Sequence, residues 1–539
     1  MKKKYVRWTL WTIASPFILF IILCILIYLP PIQNFLVDKA AVYASEATGM
    51  NISVGRISLS FPLNLVVTNV DAASPHNDTL LSVRRLQVNV QLLPLLKKQV
   101  EVDGISLQGA TVNSNDLIHG MKLNGTLGEL FISSHGVALD PETAIVNKVL
   151  LKDTDLSLCL NDTAAADTAA SDTAYWKIIL QDIDLQNVSF ALDMPLDSLS
   201  LAASLDNAIL RDGLIDLHKS AYSLQTFRIE NGRVRYDNGK PLAADSLSSG
   251  LDPSHIALTD IGVKLDSLYY GGRNMKAIIS QFVLKERSGV EIVSATGRMV
   301  SNDKVLRVPS LKLETRDSYL ELNAAMDWNA LDFKDEGLVS ARLMADIGKP
   351  DMVRFMGSMD EKFIRQYPSE PLRIRTGIDG DLNKLKLTTL TAELPGALGL
   401  FARGELTHLT DSLLRGGDIT LEAETKDLKF VSTLAEGIEI PYGTRLEGKF
   451  TMAGTKMGTD LLLMQPEAQA VVAADTIPIT VYNDSISVAD DFKMERAARL
   501  FAKYDLSRDR YEADLAVNHF DLHQFMPADS LYTLSTRLK

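Results

Sequence analysis

The hydrophobic positions of the chain follow two different periods. Residues 8–29, WTLWTIASPFILFIILCILIYL, form one unbroken uncharged run, long enough as a helix to cross the ~30 Å hydrocarbon core of a bilayer. Trp8, Trp11 and Tyr28 sit near its ends, where amphipathic rings favour the headgroup level, and Phe17 and Phe20 lie within it. Lys2, Lys3, Lys4 and Arg7 precede the run, and Pro30 and Pro31 stop it. The positive flank keeps the N-terminus in the cytoplasm and places everything after Leu29 on the far side. A cleaved signal peptide is the competing reading, but its apolar region is shorter and ends in a small-x-small site that is absent here. Residues 32–48 then carry Ile32, Phe35, Leu36, Tyr43 and Ala47 at helical spacing, with Gly49 as a stop.

From Asn51 the period becomes two. Ile52/Val54, Ile57/Leu59 and Leu63/Leu65/Val67 alternate with polar residues. Leu86, Val88 and Val90 follow, with Arg85, Gln87 and Asn89 on the other face. Residues 99–113 read as the longest clear strand, carrying Val100, Val102, Ile105, Leu107, Ala110 and Val112. A phrase recurs along the chain: apolar-x-apolar, an Asp/Asn/Gly step, apolar-x-apolar, another step. It appears as VEVDGISLQGATVN, VLLKDTDLSLCLN, IILQDIDLQNVSFAL and FRIENGRVRYDNG, and more weakly as IALTDIGVKLDSLYYGG. Each polar or Gly step lets a strand kink while one face stays apolar. At Asp103-Gly104 the step must reset the register, because strict alternation places Ile105 opposite Val102.

This pattern predicts a mainly β chain: a transmembrane helix, then an elongated, kinked antiparallel meander with a few short helices. Residues 1–31 are the stub and anchor, and 32–160 a first β module with its capping helix. Residues 161–174 (NDTAAADTAASDTA), without groups that could pack, are expected to form a disordered low-complexity loop. Residues 175–348 continue the β array. The last part, 349–539, opens with a helix at Lys349-Pro350-Asp351, whose apolar face is Met352, Phe355, Met356, Met359, Phe363 and Ile364. A further helix is expected over 491–502. The final run, LYTLSTRLK, has the look of mid-array strands, so the chain is expected to be a fragment.

Composition narrows the function. The chain has 539 residues, 46% of them hydrophobic, which suffices for a sizeable core. Its net charge of −13 argues against a nucleic-acid partner. Cys24 lies in the apolar run and Cys159 in a strand-like one, so no disulfide is expected. No nucleophile elbow, zinc-protease motif, phosphate loop or dinucleotide fingerprint occurs. His519 and His523 are four apart but not in helical context, and metal and cofactor are both expected to be none. Asp153/Asp155 and Asp182/Asp184, each before or at a step, read as structural. The chain is therefore not expected to be an enzyme, an envelope hydrolase included.

One-sided apolar strands fit two architectures, a closed β-sandwich or an open, taco-shaped groove with an apolar inner wall. The single tether, the kinked repeat and the missing catalytic motif favour the groove. Its candidate lining is Leu86, Val88, Val90, Val100, Val102, Ile105, Leu107, Ala110 and Val112.

The passages PPIQNFLVDKAAVYASEATGMNISVGRISLSFPLNLVVTNV and LLSVRRLQVNVQLLPLLKKQVEVDGISLQGATVN resemble the N-terminal module of the AsmA/TamB superfamily, the Leu-Pro-Leu-Leu turn most specifically. GDLNKLKLTTLTAELPGALGLFARGELTHLTD resembles the meander of TamB-like proteins of Bacteroidetes-type bacteria. The resemblance implies a single-pass inner-membrane protein with a periplasmic β-groove, acting in outer-membrane biogenesis. Two roles follow from it. One is movement of phospholipids between the inner and outer membranes. The other is a scaffold for outer-membrane protein insertion or secretion with a barrel partner of the TamA/BamA type.

Overall fold

The structure is a computed structural model that describes residues 39, 41–42, 45, 50–60, 64–74, 79–91, 102–114, 121–138, 142–161, 175–239, 250–334, 337–356, 360–434, 438–465, 496–527 and 533–538. Of these, 72% are strand and 8% helix. No described helix is long and apolar enough to cross a membrane. The expected anchor, with Trp8, Trp11, Phe17, Phe20 and Tyr28, lies outside the described residues, as do Val100, Met359 and nearly all of the 161–174 insertion.

The chain divides into two compact units, one made of Met1–Ala243 and Pro253–Gly272, the other of Ala244–Asp252 and Arg273–Lys539. In the first unit, β1 (Asn51–Ser60), β2 (Asn64–Ala73), β3 (Thr79–Val90), β4 (Val102–Asn113), β5 (Met121–Ala138) and β6 (Thr143–Leu160) pair antiparallel in sequence order. Among the described residues the expectation of an antiparallel meander then fails once. β7 (Lys177–Met194) runs parallel to β6, Thr143 opposite Lys177 and Cys159 opposite Asp193. Parallel neighbours need a long connection, and residues 161–176 supply it. Antiparallel pairing resumes through β8 (Leu199–Asp216), β10 (Thr226–Asn238) and β11 (His255–Gly271). The short β9 (Ala221–Leu224) continues the line of β10 in the same register against both neighbours. Among the described residues the longest strands are the 18-residue β5 to β8, not β4.

The polar steps are backbone breaks, and they are aligned. Asn69, Gly109, Asp153, Asn187, Asn231 and Asp260 all have φ between 50° and 62°, a left-handed conformation that Asn, Asp and Gly adopt most readily. The ladder skips a line of positions that crosses the sheet: Gly55 beside Asn69, then Arg84, Gly109, Gly128, Asp153, Asn187, Asp206 and Asn231. Along this line Asn187 Nδ2 donates to Asp153 Oδ1 at 2.9 Å, and Asn231 Nδ2 to Asp206. A second line crosses six residues further along each strand, through Asp103, Asn147, Gln181, Asp212 and Gln225. The reset expected at Asp103 is present: Asn89 faces Gly104 and Val90 faces Val102, leaving Asp103 over.

The second unit is a sequential antiparallel meander from β12 (Asn274–Glu286) to β25 (Thr533–Leu538). The helix expected at residue 349 runs Lys349–Met356, and a second follows over Glu361–Gln366, its N-terminus capped by Asp360. Phe363, Ile364 and Met352 of the expected apolar face pack with Tyr367, Leu394 and Phe430, but Phe355 and Met356 are exposed. The first helix is pinned by a buried carboxylate: Asp351 accepts from Thr315 Oγ1, from Ser318 Oγ at 2.7 Å and from Arg354 Nη1 at 2.9 Å. The helix expected over 491–502 is corrected where it is described, since Ala497–Asp505 is strand β23, while residues 491–495 lie outside the described residues. Its apolar residues pair across to β22 (Lys456–Met464), and pairing overrides the helical spacing.

Candidate functional site

Residues directly opposite one another in a sheet share a face, so the register fixes which apolar side chains run together. Between the two break lines, two apolar rows cross the first unit. One passes through Ile57, Val67, Leu86, Leu107, Leu130, Leu151, Leu185, Ala208, Ile229 and Val263. The other passes through Leu59, Leu65, Val88, Ile105, Ile132, Val149, Ile183, Leu210, Phe227 and Leu265. The rows are two residues apart on every strand and therefore face the same way. No polar residue interrupts either. The row that alternates with them carries Gln87, Ser106, Asp184, Arg228 and Lys264, along with Phe131, Leu150 and Ile209.

The sequence-derived candidates fall into this frame as follows. Leu86 faces Leu107 and Val88 faces Ile105, inside the two rows. Val90 pairs with Val102 beyond the second break line, and Ala110 pairs with Val83 and Val112 with Leu81 beyond the first. Val100 lies outside the described residues. Residues on β5 to β11 were missed, Leu151, Ile183, Leu185 and Phe227 among them. The signal that finds them is the phase of the repeated phrase: in every copy the apolar pair sits between two steps six residues apart.

Burial gives the rows their character. Of their twenty side chains only Val67 and Ala208 are buried, and the rest are half-buried. Among the described residues the largest fully buried side chains are Asn518 and Asp351, both polar. A sandwich core would bury Leu, Ile and Phe to that degree. The second unit repeats the pattern in a row from Ala295 and Leu313 through Ile374, Leu400, Leu446 and Leu463 to Val517. Its buried aromatic cluster sits beside strand ends, with Phe363 and Tyr367 each packed against Phe430 at ring-centroid distances of 5.5 and 5.1 Å.

The polar candidates are structural. Asp182 and Asp184 both hold Arg211, at 2.9 and 2.7 Å. Asp153 accepts from Asn187, and Asp155 accepts from Ser189 Oγ at 2.8 Å. No group of His, Cys, Asp or Glu among the described residues is arranged to hold a metal ion. No family model matches the chain, and no curated protein is similar to it.

Proposed function

We propose that this chain carries phospholipid acyl chains along the apolar rows, as an inner-membrane-anchored periplasmic protein of outer-membrane biogenesis. The observation that supports this is the pair of uninterrupted, half-buried rows between the break lines of the first unit. Ten strands at ~4.8 Å give the rows a length of about 43 Å, more than the ~30 Å that two opposed acyl chains fill in a bilayer. Each methylene buried there contributes ~0.8 kcal/mol. The break lines limit the strip to five residues per strand, and kinking at both would fold the sheet into a trough with the rows as its floor. Acyl chains would lie across the strands, and headgroups would face the open side.

The test is Leu107→Asp. Leu107 stands between Leu86 and Leu130 in mid-row. In an open trough a carboxylate there reaches water, so the protein folds but no longer retains lipid. In a closed sandwich the same charge is buried unpaired and the unit unfolds. Circular dichroism and mass spectrometry of extracted lipids, run on one detergent-solubilised sample, separate the cases. A folded variant with undiminished lipid removes the rows from the binding site. Co-purification of a nascent barrel protein in place of lipid would favour the scaffold role.

A further inference from the structure

The second unit carries an apolar face of a different make from the rows of the first. Six of its strands pair in order with no shift of register: β19 (Leu398–Thr407), β20 (Gly416–Thr425), β21 (Arg445–Ala453), β22, β23 and β24 (Arg510–Asp521). That register sets four apolar rows across them, two residues apart on every strand and therefore on one face. One row passes through Leu406, Gly417, Met452, Met457, Tyr504 and Tyr511. The next passes through Ile419, Phe450, Thr459, Ala502 and Ala513, and a third through Leu421, Leu461, Leu500 and Leu515. The fourth runs from Leu400 to Val517. No charged residue enters any of them. The opposite face of the same strands carries Arg403, Asp418, Lys449, Asp460, Arg499 and Asp514.

In the first unit the break lines narrow the apolar strip and let the sheet kink. These six strands share no such line, so their sheet stays a plain twisted layer. A layer that is apolar on one side needs a second layer against it. The described residues lay none over these rows. Only Ala402, Gly448 and Val517 are buried there, while Phe450 and Met457 are 42% exposed and Tyr504 is 37% exposed. Six strands by seven residues cover about 29 by 23 Å, roughly 670 Å². That is more than the ~300–600 Å² of the largest apolar patch on a typical monomer. It falls within the ~600–1,000 Å² that each partner contributes to a stable interface. Composition narrows the partner's chemistry. Met, Phe and Tyr stand where the first unit's rows are mostly Leu, Ile and Val, and these are the residues enriched where protein meets protein. The layer that matches this one in extent and twist is the same face of a second copy, packed ~10 Å away as in a β-sandwich.

We propose that the chain associates face to face with a second copy of itself through these four rows, about a two-fold axis. The proposal is independent of acyl-chain binding in the first unit. Phe450 lies near the middle of the six strands, so the axis brings it close to its counterpart. The test uses the full chain in phospholipid vesicles, with Cys24→Ser and Cys159→Ser. A single cysteine is placed at Phe450→Cys or, on the opposite face of the same strand, at Thr451→Cys. A short bis-maleimide should link two copies through position 450 and not through 451. With the cysteine at 450, Met457→Lys should cut the linked fraction about ten-fold, because the two-fold axis puts the charge into the interface twice. Thr451→Lys, the same charge on the other face, should leave it unchanged. Unchanged circular dichroism shows that a variant is folded, and Tyr504→Lys replaces Met457→Lys if that one is not. Equal linking at 450 and 451 reports chance collision and overturns the proposal, as does a linked fraction that Met457→Lys leaves intact. Absence of linking at 450 overturns it too, whether a monofunctional maleimide finds that thiol open or finds it shielded by lipid or by residues 466–495.

Discussion

At the residue scale, the breaks rest on side chains that tolerate positive φ. Asn187 has φ of 52°, and a β-branched residue there meets a steric cost of about 1–2 kcal/mol. Asn187→Val should therefore lower stability by that amount plus the lost bond to Asp153, while Asn187→Gly loses only the bond, about 1 kcal/mol or less. Urea melts of the two variants check the order; equal losses would show that conformation is not the cause. Gly128 is held by contact instead, since a Cβ there would lie 2.8 Å from Asp153 Cβ. In the second unit, Arg499 grips Asp460 with two bonds, of 2.8 and 2.7 Å. These hydrogen bonds, helped by the guanidinium charge and opposed by partial burial, hold the Asp460 carboxyl below its ordinary 3.8. A folded value below the unfolded one means that the pair stabilises fully above 3.8 and that its contribution is lost as pH falls through the folded value. Asp460→Asn should cost about 0.5–1 kcal/mol at neutral pH, the range for a solvent-screened pair, and nothing in strong acid. Melts at the two pH values decide it.

At the element scale, the parallel pairing of β6 and β7 reverses an expectation. With nothing in it to pack, the 161–174 insertion reads as dispensable. The described strands set a distance that the chain between them must span. From the end of β6 it must return to the start, where Lys177 faces Thr143. Seventeen steps of strand are about 56 Å at ~3.3 Å each. Deleting 161–174 leaves three steps, about 11 Å at full extension. The deletion should therefore break the β6–β7 ladder and lower the melting temperature sharply, while fourteen Gly/Ser residues in the same place should preserve it. Thermal melts of both proteins give the answer, and an undiminished midpoint in the deletion would show that the parallel pair is dispensable. The difference marks what a sequence carries. Period-two alternation fixes strands, and Asn/Asp/Gly steps fix kinks, because both act on the local backbone. Which strands lie side by side, and that the steps align in two lines, depends on pairing between distant segments. Residues 491–502 misled for the same reason: Ala497, Ala498 and Leu500 fit a helix face locally, but their partners are Met464, Leu463 and Leu461 across the sheet.

At the scale of the whole molecule, the described residues hold apolar surface in two different ways, and substitutions should tell them apart. Phe363 is 3% exposed within a closed aromatic cluster with Tyr367 and Phe430. Truncating it leaves a cavity that the rings cannot fill, so Phe363→Ala should cost about 3–5 kcal/mol. Leu151 lies in an unbroken row between Leu130 and Leu185 yet is only half-buried. Its side chain gives up only part of its transfer energy and leaves a gap open to water, so Leu151→Ala should cost about 1 kcal/mol. The ranking turns over for lipid. Phe363 has no part in the rows, so whatever folded fraction of its variant remains should keep its acyl chains. Leu151→Ala should be nearly as stable as the parent and hold less lipid, because the row loses a contact that every chain lying across β6 would use. Urea melts and lipid extraction on the same two variants test both halves. If Leu151→Ala cost as much as Phe363→Ala, the rows would be a packed core, and the open trough would have to be abandoned.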